Sequence, residues 1–369
     1  MIGTQDCNRI VLKVGSALIA PEGKGCSSRY LLSIAHFIVR CRAMGKQVVL
    51  VSSGSVAAGR TLFDNEGETT VALKKAMAAA GQMEMMAAWD KLFDFPTAQL
   101  LLTQNDLQDH DKYTSIRETI FELLDNNFLP IVNENDAVTT DDSKVGDNDN
   151  LSAMIASAIE ADSLIICSDV NGLYTKDPFK YDDAELLKEV PEIDDAVLNM
   201  AGGVTSNVGT GGMRTKLEAA QKATTNGILT YILNGLNEST FNRLIENDNP
   251  GTQFLPVESP VSEKEHWLTH TSRAKGELVV SGDAEDQLGD AVFNLDYNDI
   301  VDVNGDFGPG DTVLVRNENG QKLAKATSRR SSCLLQFLVN DNTDVDLSVP
   351  ENMPGPIITD KELAILEDN

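Results

Sequence analysis

Ile10-Val-Leu-Lys-Val14, closed by Gly15-Ser16, decides the fold. The run is short, β-branched and apolar at nearly every position, which marks a strand covered on both faces. Similar runs recur at Val48-Val-Leu-Val51, Ala98–Leu102, Leu129–Val132, Leu164–Cys167 and Ile228–Leu233. Helical periodicity fills the intervals. One helix is read from an N-cap at Ser27 or Ser28 to a terminal Gly45, and others at Leu73–Phe93, Tyr113–Asn127, Leu151–Ile159 and Met213–Asn226. Apolar strands alternating with helices predict an α/β fold, an open, mostly parallel sheet with helices on both faces. Ligands bind such a sheet beyond the carboxyl ends of its strands, so the residues just after each run are the candidates for chemistry.

The chain has 369 residues, more than one hydrophobic core usually serves. After about Asn249 the pattern changes: Pro250, Pro256 and Pro260 punctuate a polar stretch, and short β-rich segments follow at Glu277–Ser281, Ile300–Val303, Asp311–Arg316 and Leu334–Val339. The expected organisation is an α/β domain over 1–255, a linker over 256–275, a small C-terminal β-rich domain over 276–355 and an acidic tail over 356–369.

Charge narrows the function. Thirty basic against 57 acidic residues leave a net charge of −27, which argues against nucleic acid or anionic membrane as a partner. The longest apolar runs are too short to span a bilayer. The start of the chain lacks the layout of a signal peptide, and Cys7, Cys26, Cys41, Cys167 and Cys333 form no C-x-x-C pair. These features predict a cytoplasmic protein with reduced thiols. An anionic substrate would need a positive field made within the site itself.

Four predicted strand ends carry unusual residues. Lys13 interrupts a buried apolar strand, a costly placement unless an anion meets it, and Gly15 and Ser16 offer backbone N–H groups to phosphate oxygens. Ser52-Ser53-Gly54-Ser55 could bind an anion at the start of a helix. A capped turn is the alternative for both. Asn133-Glu-Asn-Asp136 and Gly146-Asp147-Asn148-Asp149-Asn150 gather carboxylates and carboxamides, a mixture suited to an ammonium-bearing substrate. Leu151 stands where a calcium loop needs another oxygen, so an EF-hand is excluded. Gly209-Thr210-Gly211-Gly212-Met213-Arg214-Thr215-Lys216 opens a helix and is neither a Walker A loop nor a dinucleotide fingerprint. Two lysines beside glycine-rich turns suit phosphoryl transfer, which needs positive charge around the moving group. His266 and His270 are four apart without a third ligand, so no protein metal site is expected.

Taken in order, Lys13-Val-Gly15-Ser16, Ser53-Gly54, Asn133-Glu-Asn-Asp136, Lys144-Val-Gly-Asp147-Asn-Asp-Asn150, Ser168-Asp169 with Gly172-Leu-Tyr-Thr-x-Asp-Pro178, and Gly209–Lys216 resemble the amino-acid kinase family over roughly residues 8 to 250. The resemblance is to its glutamate-phosphorylating branch. It implies ATP-dependent phosphorylation of the side-chain carboxylate of L-glutamate, with Mg²⁺ arriving on ATP, proline as inhibitor, and a homo-oligomer, dimer or tetramer. Lys13 and Lys216 would stabilise the transferred phosphoryl group and Asp149 would balance them. Ser53, Asp136, Asn148 and Asp147 would hold glutamate. Lys13, Gly15, Ser168, Asp169 and Thr210, Gly211, Gly212, Met213, Arg214, Thr215 and Lys216 would hold the nucleotide. Ser52 and Ser168 stand where the family often has threonine. The C-terminal part resembles in placement a PUA domain, a fold otherwise associated with RNA, but the glycine-rich opening expected there is altered around 289–299. From Thr271 onward, 8 basic and 19 acidic residues give −11, against RNA binding. A sister kinase acting on another carboxylate and a catalytically silent amino-acid sensor stay open at this point.

Overall fold

The computed structural model describes residues 7–23, 25–64, 69–139, 147–178, 180–201, 212–257, 262–288, 293–340 and 356–366. The chain forms two compact units, Met1–Asp106 with Ser115–Val261 and Leu107–Thr114 with Ser262–Asn369. Up to the end of the first unit the elements are β1 (Arg9–Val14), α1 (Ser16–Ile19), α2 (Leu31–Ala43), β2 (Gln47–Ser52), α3 (Ser55–Gly59), α4 (Val71–Asp90), β3 (Thr97–Leu102), α5 (Gln104–Gln108), α6 (His110–Asp125), β4 (Leu129–Glu134), α7 (Asn148–Ala158), β5 (Ser163–Ser168), β6 (Glu189–Val190), α8 (Asp195–Met200), α9 (Met213–Thr225), β7 (Leu229–Asn234), α10 (Ser239–Ile245) and β8 (Thr252–Phe254).

The strands make one eight-stranded sheet in the order β3-β4-β2-β1-β5-β7-β8-β6. Every neighbouring pair is parallel except β7 and β8. Beyond Arg9 all of β1 is buried, and β4 and β5 are buried throughout. Successive side chains point to opposite faces, so both faces of the sheet are covered, as the apolar runs predict. Ile10, Leu12 and Val14 pack with Phe37 and Ile38 of α2, Met85 and Trp89 of α4, and Phe241 and Leu244 of α10. Alternation turns Lys13 to the other face, where it meets Asp149 of α7. Two details differ from the sequence reading. Helix α2 starts at Leu31 with Tyr30 as its N-cap, and Ser27 instead accepts the Arg29 backbone N–H at 3.3 Å. The proline-punctuated stretch after Asn249 contributes β8, whose Thr252 and Phe254 are fully buried beside β7.

The second unit holds α11 (Glu263–His266), a π-helical turn (Trp267–Thr271), β9 (Gly276–Val280), α12 (Gly282–Gln287), β10 (Asn294–Leu295), β11 (Ile300–Gly305), β12 (Thr312–Asn317), β13 (Lys322–Thr327), α13 (Ser332–Asn340), β14 (Ile358–Thr359) and β15 (Leu363–Ile365). Its five-stranded sheet runs β11-β9-β12-β13-β15, and β10 pairs with β14. Three expectations are corrected. Within the stretch read as a linker, residues 263–271 are helical and packed: Trp267 is 2% exposed and its Nε1 donates to the Leu107 carbonyl at 2.9 Å. Leu334–Val339 is helical, because Ser331 opens a turn by accepting the Leu335 backbone N–H at 3.1 Å and leucine favours helix once nucleated. Residues 358–359 and 363–365, grouped by composition with an acidic tail, are strands.

One contact fixes how α4 meets the sheet end. Gly59 of α3 and Gly81 of α4 pack backbone to backbone, so a Cβ at Gly81 would lie 2.0 Å from the Ser55 carbonyl oxygen and 2.2 Å from Gly59 N. Gly81→Ala is expected to force the helices apart at a cost of about 1–3 kcal/mol, lowering the thermal midpoint. An unchanged melting curve would show that this contact yields freely.

Candidate active site

The ends of β1, α7 and α9 converge on one carboxylate. Lys13 Nζ lies 2.5 Å from Asp149 Oδ1, and Lys216 Nζ lies 3.0 Å from Oδ2. The Thr215 hydroxyl lies 3.2 Å from Oδ2 and donates to the Gly212 carbonyl at 3.0 Å. Asp149 is 1% exposed and the two lysines 5% each. Burial pushes the Asp149 carboxyl up, but the lysine charges and their hydrogen bonds outweigh it and hold the group at about 2. Among the described residues the three groups sum to one surplus positive charge in a nearly dry place. Such a charge is costly unless an anion shares the site, so the cluster is built to receive one.

Local structure places each member. Asp147 is the N-cap of α7, its Oδ1 accepting the Asn150 backbone N–H at 2.9 Å, which sets Asp149 in the first helical turn. Gly212 caps α9 and puts Lys216 one turn in. The Gly15 backbone N–H donates to the Cys167 carbonyl at 3.1 Å, tying the turn after β1 to β5. Lys222 donates to Asn150 Oδ1 at 2.7 Å, and burial lowers its pKa against the pull of Glu218 and Asp147.

Beside the ends of β2 and β4 lies a cavity of about 230 Å³ lined by Ser55, Gln82, Gln99, Glu134, Asn135 and Asp136, among others. The Ser55 hydroxyl donates to Asp136 Oδ2 at 2.9 Å. Asn148 Oδ1 and Asn133 Oδ1 both accept the Glu134 backbone N–H, at 3.3 and 2.9 Å. Ser53 is buried, with its backbone N–H on the Val14 carbonyl at 3.0 Å, and Gly54 turns the chain at φ +102°. A small hollow beyond β5, about 30 Å³, is lined mostly by apolar residues, among them Val170, Leu173, Met200 and Met213, with Lys176 also at its wall. Ser168 donates to Asp169 Oδ1 at 3.0 Å at its strand's end.

Residues 8–234 match the amino acid kinase family. The chain belongs to the amino acid kinase family. This kinase chain is 58% identical to glutamate 5-kinase 1 of Pseudoalteromonas translucida (strain TAC 125), over 97% of its own length and 98% of the relative's. It is 50% identical to a glutamate 5-kinase of Idiomarina loihiensis (strain ATCC BAA-735 / DSM 15497 / L2-TR), over 98% of both chains. It is 41% identical to one of Salinibacter ruber (strain DSM 13855 / M31), over 99% of both.

Among the expected site residues of this kinase, Lys13, Asp149, Thr215 and Lys216 come together in one cluster. Asp136 lines the cavity and Met213 the apolar hollow. Asp147 spends an oxygen on its helix cap, and Arg214 is taken by a surface pair with Glu218 at 2.9 Å. Thr210 and Gly211 lie outside the described residues. Gln82 and Gln99 belong to no motif in the sequence, yet they line the cavity together with Ser55, Glu134 and Asp136. Their common feature is a shared cavity, which no spacing in the chain announces.

Asp149 titrates at about 2 when folded against an ordinary 3.8, so its pairing stabilises the fold above the unfolded value and is lost as pH falls through the folded one. Asp149→Asn is expected to cost about 3–5 kcal/mol at neutral pH, by stranding two buried lysines. It should also flatten the fall in stability between about pH 4 and pH 2. Denaturant titrations of both proteins across that range check this, and parallel pH curves would exclude Asp149 as the titrating group.

Proposed function

We propose that this chain transfers the γ-phosphoryl group of ATP to the side-chain carboxylate of L-glutamate, giving L-glutamyl 5-phosphate, the entry to proline biosynthesis. The observation that carries the reading is the buried Lys13–Asp149–Lys216 cluster with its surplus positive charge, linked through Asn148, whose Oδ1 accepts the Glu134 backbone N–H, to a cavity lined by carboxylates and carboxamides. The nucleotide phosphates suit the turn after β1 and the start of α9. The ammonium of glutamate suits Asp136, with Ser53 and Asn148 completing the acceptor side.

In the reaction a glutamate carboxylate oxygen attacks the γ-phosphorus, and the bond from that phosphorus to the bridging oxygen of ADP breaks. The nucleophile is already ionised, so no side chain needs to remove a proton. Charge grows on the equatorial and leaving oxygens, and Lys13 and Lys216 meet it from both sides without reorganising. Asp149 keeps both ammonium groups aimed and close despite their mutual repulsion. It spends both oxygens on the lysines, a donor set that fits Mg²⁺ arriving on the nucleotide phosphates, where the ion would neutralise further charge. Proline is proposed as inhibitor, a dimer or tetramer as the working form, and the cytoplasm as the location. The second unit is proposed as a degenerate PUA-like module serving regulation or assembly.

Incubation with Mg-ATP and L-glutamate, trapping acyl phosphate with hydroxylamine, is expected to give glutamate-dependent ADP and hydroxamate that proline suppresses. Lys216→Ala should lower turnover about 10²–10³-fold while folding stays intact. Turnover with aspartate or carbamate but not glutamate would move the acceptor, and a fully active Lys216→Ala would remove the lysine from the mechanism.

A further inference from the structure

Gln82, on α4, lines the acceptor cavity and is 7% exposed. The orientation of its amide is set by a chain of donors and acceptors. Asn133 Oδ1 accepts the Glu134 backbone N–H at 2.9 Å, so Asn133 Nδ2 is the donating end, and it gives its hydrogen to Gln82 Oε1 at 2.9 Å. Gln82 therefore keeps its own Nε2 for something else. That nitrogen is buried and, among the described residues, has no hydrogen-bond partner. Buried polar atoms in folded proteins are satisfied with few exceptions, and an exception in the wall of a cavity points to a ligand that supplies the acceptor. Gly81, the preceding residue, is locked against α3 by backbone contact, which holds Gln82 at the wall.

The chemistry of the missing acceptor follows from the surroundings. Glu134, Asp136 and Ser55 make this cavity suited to an ammonium, and a carboxylate on the same carbon as that ammonium would be repelled unless a donor meets it. The acceptor's side-chain carboxylate has to face the lysine cluster, so it is the α-carboxylate that needs a partner here. We propose that Gln82 is a specificity-determining residue whose Nε2 donates to the α-carboxylate of the acceptor amino acid. The proposal rests on the glutamate reading above.

The test uses the full chain with two substitutions, Gln82→Met and Gln82→Glu, with ADP release measured while glutamate and ATP are varied separately. Loss of a hydrogen bond to a charged group is expected to raise the glutamate KM of Gln82→Met roughly ten- to hundredfold, with kcat and the ATP KM little changed. Gln82→Glu keeps the acceptor for Asn133 but sets a negative charge against the substrate. Its glutamate KM should be raised at about pH 8 and fall toward wild type at about pH 5.5, as the new carboxyl gains a proton and becomes a donor. A packing role predicts no such pH rescue. An unmoved glutamate KM in folded Gln82→Met overturns the proposal, and so does an equal loss in kcat and in the ATP KM. If Gln82→Met fails to fold, the pH profile of Gln82→Glu decides. An active wild type with unaffected variants sinks this proposal alone. A wild type inactive with glutamate sinks the reading of the reaction first.

Discussion

The molecule is organised around one carboxylate shared by two lysines. Removing Lys13, Asp149 and Lys216 from water is expensive, and only near-contact distances of 2.5 and 3.0 Å make the arrangement tolerable. Those distances require β1, α7 and α9 to arrive together, with their starting turns fixed by an Asp147 cap and a Gly212 cap. The pairing is also deliberately incomplete. Among the described residues one carboxylate meets two lysines, which leaves the cluster short of negative charge, as the proposed phosphoryl transfer requires.

This arrangement explains how a chain of net charge −27 can handle a polyanionic nucleotide. Exposed charges are screened over about 8 Å at physiological salt, whereas buried ones act at contact and in a poorly polarisable setting. Local lysines and helix starts therefore set the field that an anion meets at the site. The scaffold serves the same end. Ile10, Leu12 and Val14 anchor one face of β1 in the core so that the alternate residue, Lys13, is presented rigidly on the other.

Much of the α/β unit was legible because its signals are local. Unbroken apolar strands, their spacing by helices, and a lysine where only apolar residues belong all lie within a few residues of one another. The errors share the opposite character. Leu334–Val339 is a short apolar run, equally compatible with strand and helix, and the choice fell to the turn at Ser331. The stretch 256–275 reads as a linker because its signal is non-local: Trp267 donates its N–H to Leu107 and packs its ring on His110 and Tyr113, far back in the chain. The strands at 358–359 and 363–365 are too short to announce themselves without the partners they pair with.

By itself the sequence determined the class of fold and singled out the two lysines that the structure brings together at Asp149. Each of these follows from residue type and short-range periodicity. The tertiary structure alone decided which of several neighbouring carboxylates serves which purpose. Asp147 and Asp149 differ by two positions and not at all in chemistry, yet one caps a helix and the other holds two buried charges. It also decided that Gln82, an ordinary mid-helix glutamine in the chain, ends in the wall of a cavity with a donor that no described residue meets. Roles of this kind depend on direction and burial, and a side chain acquires both only when distant segments close around it.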